Sequence, residues 1–208
     1  GTAVIAYHWS RILRRRVWAV DLLPVRERWD ARWDEFCRAH GIGRGPVTVR
    51  WRGRARQALA VLRGLPPALD HVDAAALTRD LTGERYDAIL VLGPHLLPLA
   101  ERLERRHKVV FVPTDAVSMV LESRLDQRPL RPSHARWALE ARLWRQVEAR
   151  RLPRLGASVF VARADADEAT REWPEPARDR VHVIPNGVDS DYFSPIDEPE
   201  AEAEPVDA

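Results

Sequence analysis

The sequence predicts an α/β fold: a mainly parallel, doubly wound sheet with helices packed on both faces. Three observations predict it. Short continuous apolar runs alternate with stretches of helical apolar periodicity along most of the 208 residues, the pattern of successive βαβ units. The clearest runs are rich in Val, Ile and Leu without polar alternation, as strands covered on both faces are. Glycine or proline bounds them, and these residues stop or turn a strand.

The elements follow in order. Residues 2–15 set Val4, Ile5, Trp9, Ile12 and Leu13 at helical spacing. Residues 17–23 read as a strand stopped by Pro24, and 27–39 as a helix with Trp29, Trp33 and Phe36 on one face, ending at Gly41. Residues 47–51 alternate like a short strand. Helices over 54–63 and 71–82 are separated by Leu65-Pro66-Pro67. The run Tyr86 to Gly93 is the clearest buried strand, followed by a helix over 95–105 and a second apolar strand over 109–112. A long helix over 134–152, a strand over 157–161, a helix over 164–173 and a strand over 181–184 stopped by Pro185 complete the chain. Six strands fed from one side, with right-handed crossovers, build one sheet. Such sheets bind ligands at the carboxyl ends of their strands. The turns after Leu23, Trp51, Leu92, Val112, Val161 and Ile184 are therefore the places to look.

Composition narrows the function classes. A chain that is 45% hydrophobic and 31% charged is ordinary for a soluble domain with a sizeable core. No run approaches the roughly 18 to 20 apolar residues of a membrane span. Arg11, Arg14, Arg15 and Arg16 interrupt any signal-peptide pattern near the start, so a cytoplasmic protein is expected. The single cysteine, Cys37, excludes an intramolecular disulfide and sits at an apolar helical position. The seven histidines lack metal-ligand spacing, and no metal site is expected. Residues 197–208 hold six acids and no base, which leaves 33 bases against 25 acids, a net +8, for the rest. That basic body suits an anionic ligand or membrane face. Arginines scattered over solvated helix faces account for most of it.

Three places carry candidate chemistry. Thr114-Asp115 ends a strand where a substrate sits, although capping the helix that starts at Ala116 is the more common reason for an acid at the position of Asp115. Glu122 and Arg124, one to two turns on, either line the same cleft or lie on a solvated face. In Pro185-Asn186-Gly187-Val188-Asp189, Pro185 ends a strand and Asn186-Gly187 supplies positive φ for a reversal; taken alone this is a strand-ending turn. The tryptophans at 29 and 33, and at 137 and 144, recur at helical spacing and read as core. The alternative is an amphipathic Trp/Arg face resting on a membrane, with 134–152 (Arg136, Arg142, Arg145, Arg150, Arg151) as the segment to inspect.

The string Val181-His182-Val183-Ile184-Pro185-Asn186-Gly187-Val188-Asp189, continued by Tyr192-Phe193-Ser194-Pro195, resembles the segment joining the two Rossmann-like domains of family-4 glycosyltransferases of the GT-B fold. Residues 157–162 with Asp165 and Glu168 resemble the approach to that segment, and Tyr86 to Gly93 one of the family's strands. The resemblance implies that 1–189 form the N-terminal, acceptor-side domain without its first strand, and that 190–208 are an acidic, disordered tail. It makes Pro185, Asn186, Gly187 and Asp189 the interdomain linker. It makes Thr114 and Asp115 the acceptor or sugar contact. Gly1 and Thr2, opening a helix that carries Tyr7, His8 and Leu13, become the remnant of a phosphate-binding loop.

The activity so implied is retaining transfer of a sugar from a nucleotide-sugar to an acceptor, in polysaccharide or glycolipid synthesis. No cofactor is implied; the nucleotide-sugar is the donor substrate. The expected partners are a sugar acceptor, a separate donor-binding half and a peripheral contact with the inner membrane face, not nucleic acid. Without a donor-binding domain of about 150 residues, the chain is expected to be inactive. The alternative is a non-catalytic Rossmann-like interaction module derived from such an enzyme.

Overall fold

The computed structural model describes residues 2–16, 18–23, 25, 31–44, 52–81, 83, 86–126 and 132–187. The first part of the chain forms α1 (Thr2–Arg15), β1 (Asp21–Leu22), α2 (Ala31–His40) and β2 (Gly43–Arg44). Helices α3 (Arg54–Leu62) and α4 (Ala74–Leu81) lead into β3 (Ile89–Leu92), α5 (Leu97–Leu103) and β4 (Val109–Thr114). Then come α6 (Val117–Asp126), α7 (Pro132–Arg150), β5 (Ser158–Phe160), α8 (Arg163–Thr170), α9 (Glu175–Arg178) and β6 (Val181–Val183).

The strands β3, β4, β5 and β6 pair in that order, all parallel, with Ile89 opposite Val109 and Phe160 opposite Val183. Consecutive residues of β4 and all three of β5 are buried, which alternation cannot produce unless both faces are covered. Phe111 and Phe160 are fully shielded from solvent at the middle of a core that also holds Leu77, Leu97, Leu103, Trp144 and Trp173. Truncating either phenylalanine to alanine would cost about 3–5 kcal/mol. The fold is thus the α/β architecture expected, with helices around a parallel sheet.

One expectation is corrected. The described strands do not form a single sheet, because β1 and β2 pair separately as a two-stranded parallel ribbon. Among its described residues the apolar run over 17–23 yields only two strand residues. The Trp18 amide donates to the Leu13 carbonyl at 3.3 Å, which ties the start of the run to the end of α1 and leaves the Trp18 side chain exposed. The ribbon has its own small core of Phe36, Cys37 and Ile42, against which Tyr7, Val20, Leu22 and Trp33 pack. Cys37 is buried there as a small hydrophobe. The strand expected at 47–51 lies outside the described residues.

Local chemistry fixes the helix ends. The Asp73 carboxylate accepts the amides of Ala75 and Ala76, each at 3.2 Å, and so caps α4. The same carboxylate pairs with Arg52 at 3.1 Å. Burial alone would raise its pKa, but the Ala76 amide and the guanidinium outweigh that and lower it. Helix α7 packs along α6 and buries Ala141, Leu143, Trp144 and Val147, so Trp144 belongs to the core. Among the described residues no helix is long and apolar enough to cross a membrane.

Candidate functional site

The carboxyl end of β4 carries an irregularity that begins with a proline. Pro113 has no N–H to give to the ladder. Between Phe111, opposite Ser158, and Thr114, opposite Phe160, the register shifts by one residue, as at a β-bulge. Thr114 then takes φ 73°, the one positive value at a non-glycine among the described residues. For a β-branched residue this is a true outlier, of the kind that clusters at functional sites. Thr114 is only 6% exposed. Its hydroxyl lies 2.5 Å from the Pro113 carbonyl oxygen and 3.1 Å from Asp115 Oδ2, its one proton serving one acceptor at a time. The left-handed step turns Asp115 out into solvent.

Asp115 does not cap α6. That work falls to two buried carboxylates from distant parts of the chain. Asp165, in the first turn of α8 and 8% exposed, accepts the Ala116 amide at 2.8 Å. Glu148, on α7 and 4% exposed, accepts the Ser118 amide at 3.2 Å with one oxygen and the Ser118 hydroxyl with the other. Burial pushes the Glu148 carboxyl above the usual carboxylate range, although the Ser118 bonds and Arg145 pull the other way. The free N–H groups at a helix start make an anion site; here those of Ala116 and Ser118 are already bound to protein oxygens.

Arg145 closes the outer side of this corner. It pairs with Glu122 of α6 at 2.5 Å and with Glu168 of α8 at 2.9 Å. The Glu122 bond, with Glu168 and against burial, holds its pKa above the ordinary arginine value. Glu122 thereby ties α6 to α7, and Arg124 lies exposed. The dimple between α7 and α8 is lined by the charged Arg145, Glu148, Glu168, Arg171 and Glu172, with Ala149 and Ala169 as its apolar part, whereas most small-ligand sites are walled by larger hydrophobic and aromatic side chains.

A second polar group sits at the end of the neighbouring strand. Gly93, at φ 108°, turns the chain after β3 so tightly that a Cβ there would lie 2.9 Å from the His95 ring. Burial, and then the nearby His71, lower the His95 pKa below its usual 6.5. The Gln57 amide lies 2.7 Å from His71 Nδ1; since the amide nitrogen can only donate, that ring nitrogen accepts. His95 was not among the sequence candidates. The signal that would have found it is Gly93-Pro94-His95 directly after the clearest strand.

The remaining candidates are placed as follows. Pro185, Asn186 and Gly187 leave β6 as an exposed stretch without regular structure. Neither Asn186 nor Gly187 takes a positive φ, so the expected sharp reversal is not made there: the Ile184 amide still donates to Phe160 at 2.9 Å and the chain runs on. Asp189 and Gly1 lie outside the described residues, and Thr2 opens α1. Among the described residues no group of three or more His, Cys, Asp or Glu is placed to hold a metal ion. No protein-family model and no curated protein matches this chain.

Proposed function

We propose that this chain is the acceptor-side, Rossmann-like half of a retaining GT-B glycosyltransferase, moving a sugar from a nucleotide-sugar to an acceptor in polysaccharide or glycolipid synthesis. The observation that carries the reading is Asp115, held in solvent at the carboxyl end of an inner strand by the left-handed Thr114. In parallel α/β sheets ligands are met at that rim. An ionised carboxylate is an acceptor only, suited to the hydroxyls of a sugar. The resemblance of residues 181–195 to the family's interdomain segment supplies the reaction class, and the phosphate leaving group would be stabilised from the donor side.

The test is nucleotide release from a panel of nucleotide-sugars by the chain combined with a donor-binding half. Release is expected for one donor, and Asp115→Asn should lower kcat/KM by roughly 10-fold to 100-fold through the lost charged hydrogen bond. If no donor yields nucleotide, the reading fails.

A second reading, a non-catalytic binding module, has one observation in its favour. The amides of Ala116 and Ser118 already bind Asp165 and Glu148, so two donors of this helix start are taken by the protein itself rather than offered to a phosphate. That reading expects indifference to nucleotide-sugars in the same experiment.

A further inference from the structure

We propose that the C-terminal end of α1 docks the protein onto an anionic lipid bilayer. Ile12 and Trp18 are 53% and 54% exposed, both large apolar side chains left in water within seven residues of one another. Arg14, Arg15 and Arg16 stand between them, all exposed. Positions 15 and 16 lie three and four residues beyond Ile12, hence on its side of the helix. Residues 1–20 contain no Asp or Glu, and Arg15 and Arg16 make no ion pair among the described residues.

The tryptophan is not a loose end. Its amide donates to the Leu13 carbonyl at 3.3 Å, and Arg14 Nη1 donates to its carbonyl at 3.2 Å. Arginines at a helix C-terminus complement the helix dipole, which explains the charge. It does not explain two bulky apolar groups beside that charge. An indole and an aliphatic wedge flanked by guanidinium groups match the headgroup layer of a bilayer, where the ring enters the interface and the arginines meet lipid phosphates. A nucleic-acid phosphate backbone would use the arginines but not Ile12.

The longer Trp/Arg helix is a poorer dock. Helix α7 exposes Leu139 beside Arg136 and Arg142, but its Leu143 and Trp144 are buried, Arg145 is held by Glu122 and Glu168, and Arg151 just past its end is held by Glu101.

The experiment is flotation of the intact chain with vesicles of phosphatidylcholine, with and without phosphatidylglycerol. Binding is expected only with phosphatidylglycerol, and it should weaken as salt rises. The double variant Arg15→Glu/Arg16→Glu should lower the partition coefficient roughly 20-fold or more. Ile12→Ser/Trp18→Ser should lower it at constant charge. Arg136→Glu/Arg142→Glu, on α7, should leave it unchanged; circular dichroism confirms that each variant is folded. The proposal is overturned by equal binding to both vesicles, by an equal loss in the α7 variant, or by tighter binding to duplex DNA than to phosphatidylglycerol vesicles. Since no sugar transfer is measured, its failure and that of the glycosyltransferase reading are told apart.

Discussion

The Asp165 carboxylate accepts a hydrogen bond at 2.8 Å from the backbone amide of Ala116, 49 residues earlier in the chain. That bond joins the first turn of α8 to the corner between β4 and α6, and it satisfies a donor shielded from water. Asp165→Ala should leave the amide buried without a partner and cost about 1–3 kcal/mol. Asp165→Asn keeps an acceptor oxygen and should cost less than half as much. Urea denaturation of the two variants checks the order; equal losses would mean that the bond contributes little.

Thr114 offers a test of strain. Glycine normally destabilises a strand or helix relative to alanine by about 0.5–1 kcal/mol. At φ 73° the order should invert, because a Cβ in the left-handed region costs about 1–2 kcal/mol. Thr114→Gly should therefore be more stable than Thr114→Ala by about 1 kcal/mol, read from paired urea midpoints. An alanine variant at least as stable as the glycine variant would show the corner to be relaxed.

Glu148 sets a pH dependence. Its folded pKa is raised above the usual 4.5, first by burial. The folded state thus favours the protonated acid, and the stability this gives is complete below pH 4.5 and lost as pH rises through the folded pKa. Glu148→Gln cannot titrate. The wild type should lose stability relative to this variant between pH 4.5 and neutrality, followed by thermal unfolding at several pH values. A difference that stays flat, or runs the other way, would mean that the Ser118 bonds and Arg145 dominate over burial.

These residues also mark how much the sequence discloses. The strands ending at Leu92 and near Thr114 are legible because their apolar runs have no other use, and α7 because Ala141, Trp144 and Val147 recur at helical spacing. Asp115 is legible as a residue at a strand's end. What turns it outward is less so: a proline ahead of it was readable, but the register shift arises only when β4 meets β5. Asp165 and Glu148 could not be assigned to α6, since their partners are 49 and 30 residues away and no local pattern links them. The ribbon of β1 and β2 was missed for a related reason. Gly43–Arg44 has no strand character of its own and is a strand only because the Gly43 amide meets the Val20 carbonyl at 2.8 Å.

The two carboxylates behind α6 have a consequence for motion. Ala116 cannot release its amide unless α8 lets go, and Ser118 cannot unless α7 does, while Arg145 binds all three helices together. Amide exchange at these two positions then proceeds through opening of the whole sheet-and-helix body rather than through fraying of one helix end. The corner that carries Asp115 is thus tied to three helices at once, and loosening it is expected to be a collective event rather than a local one.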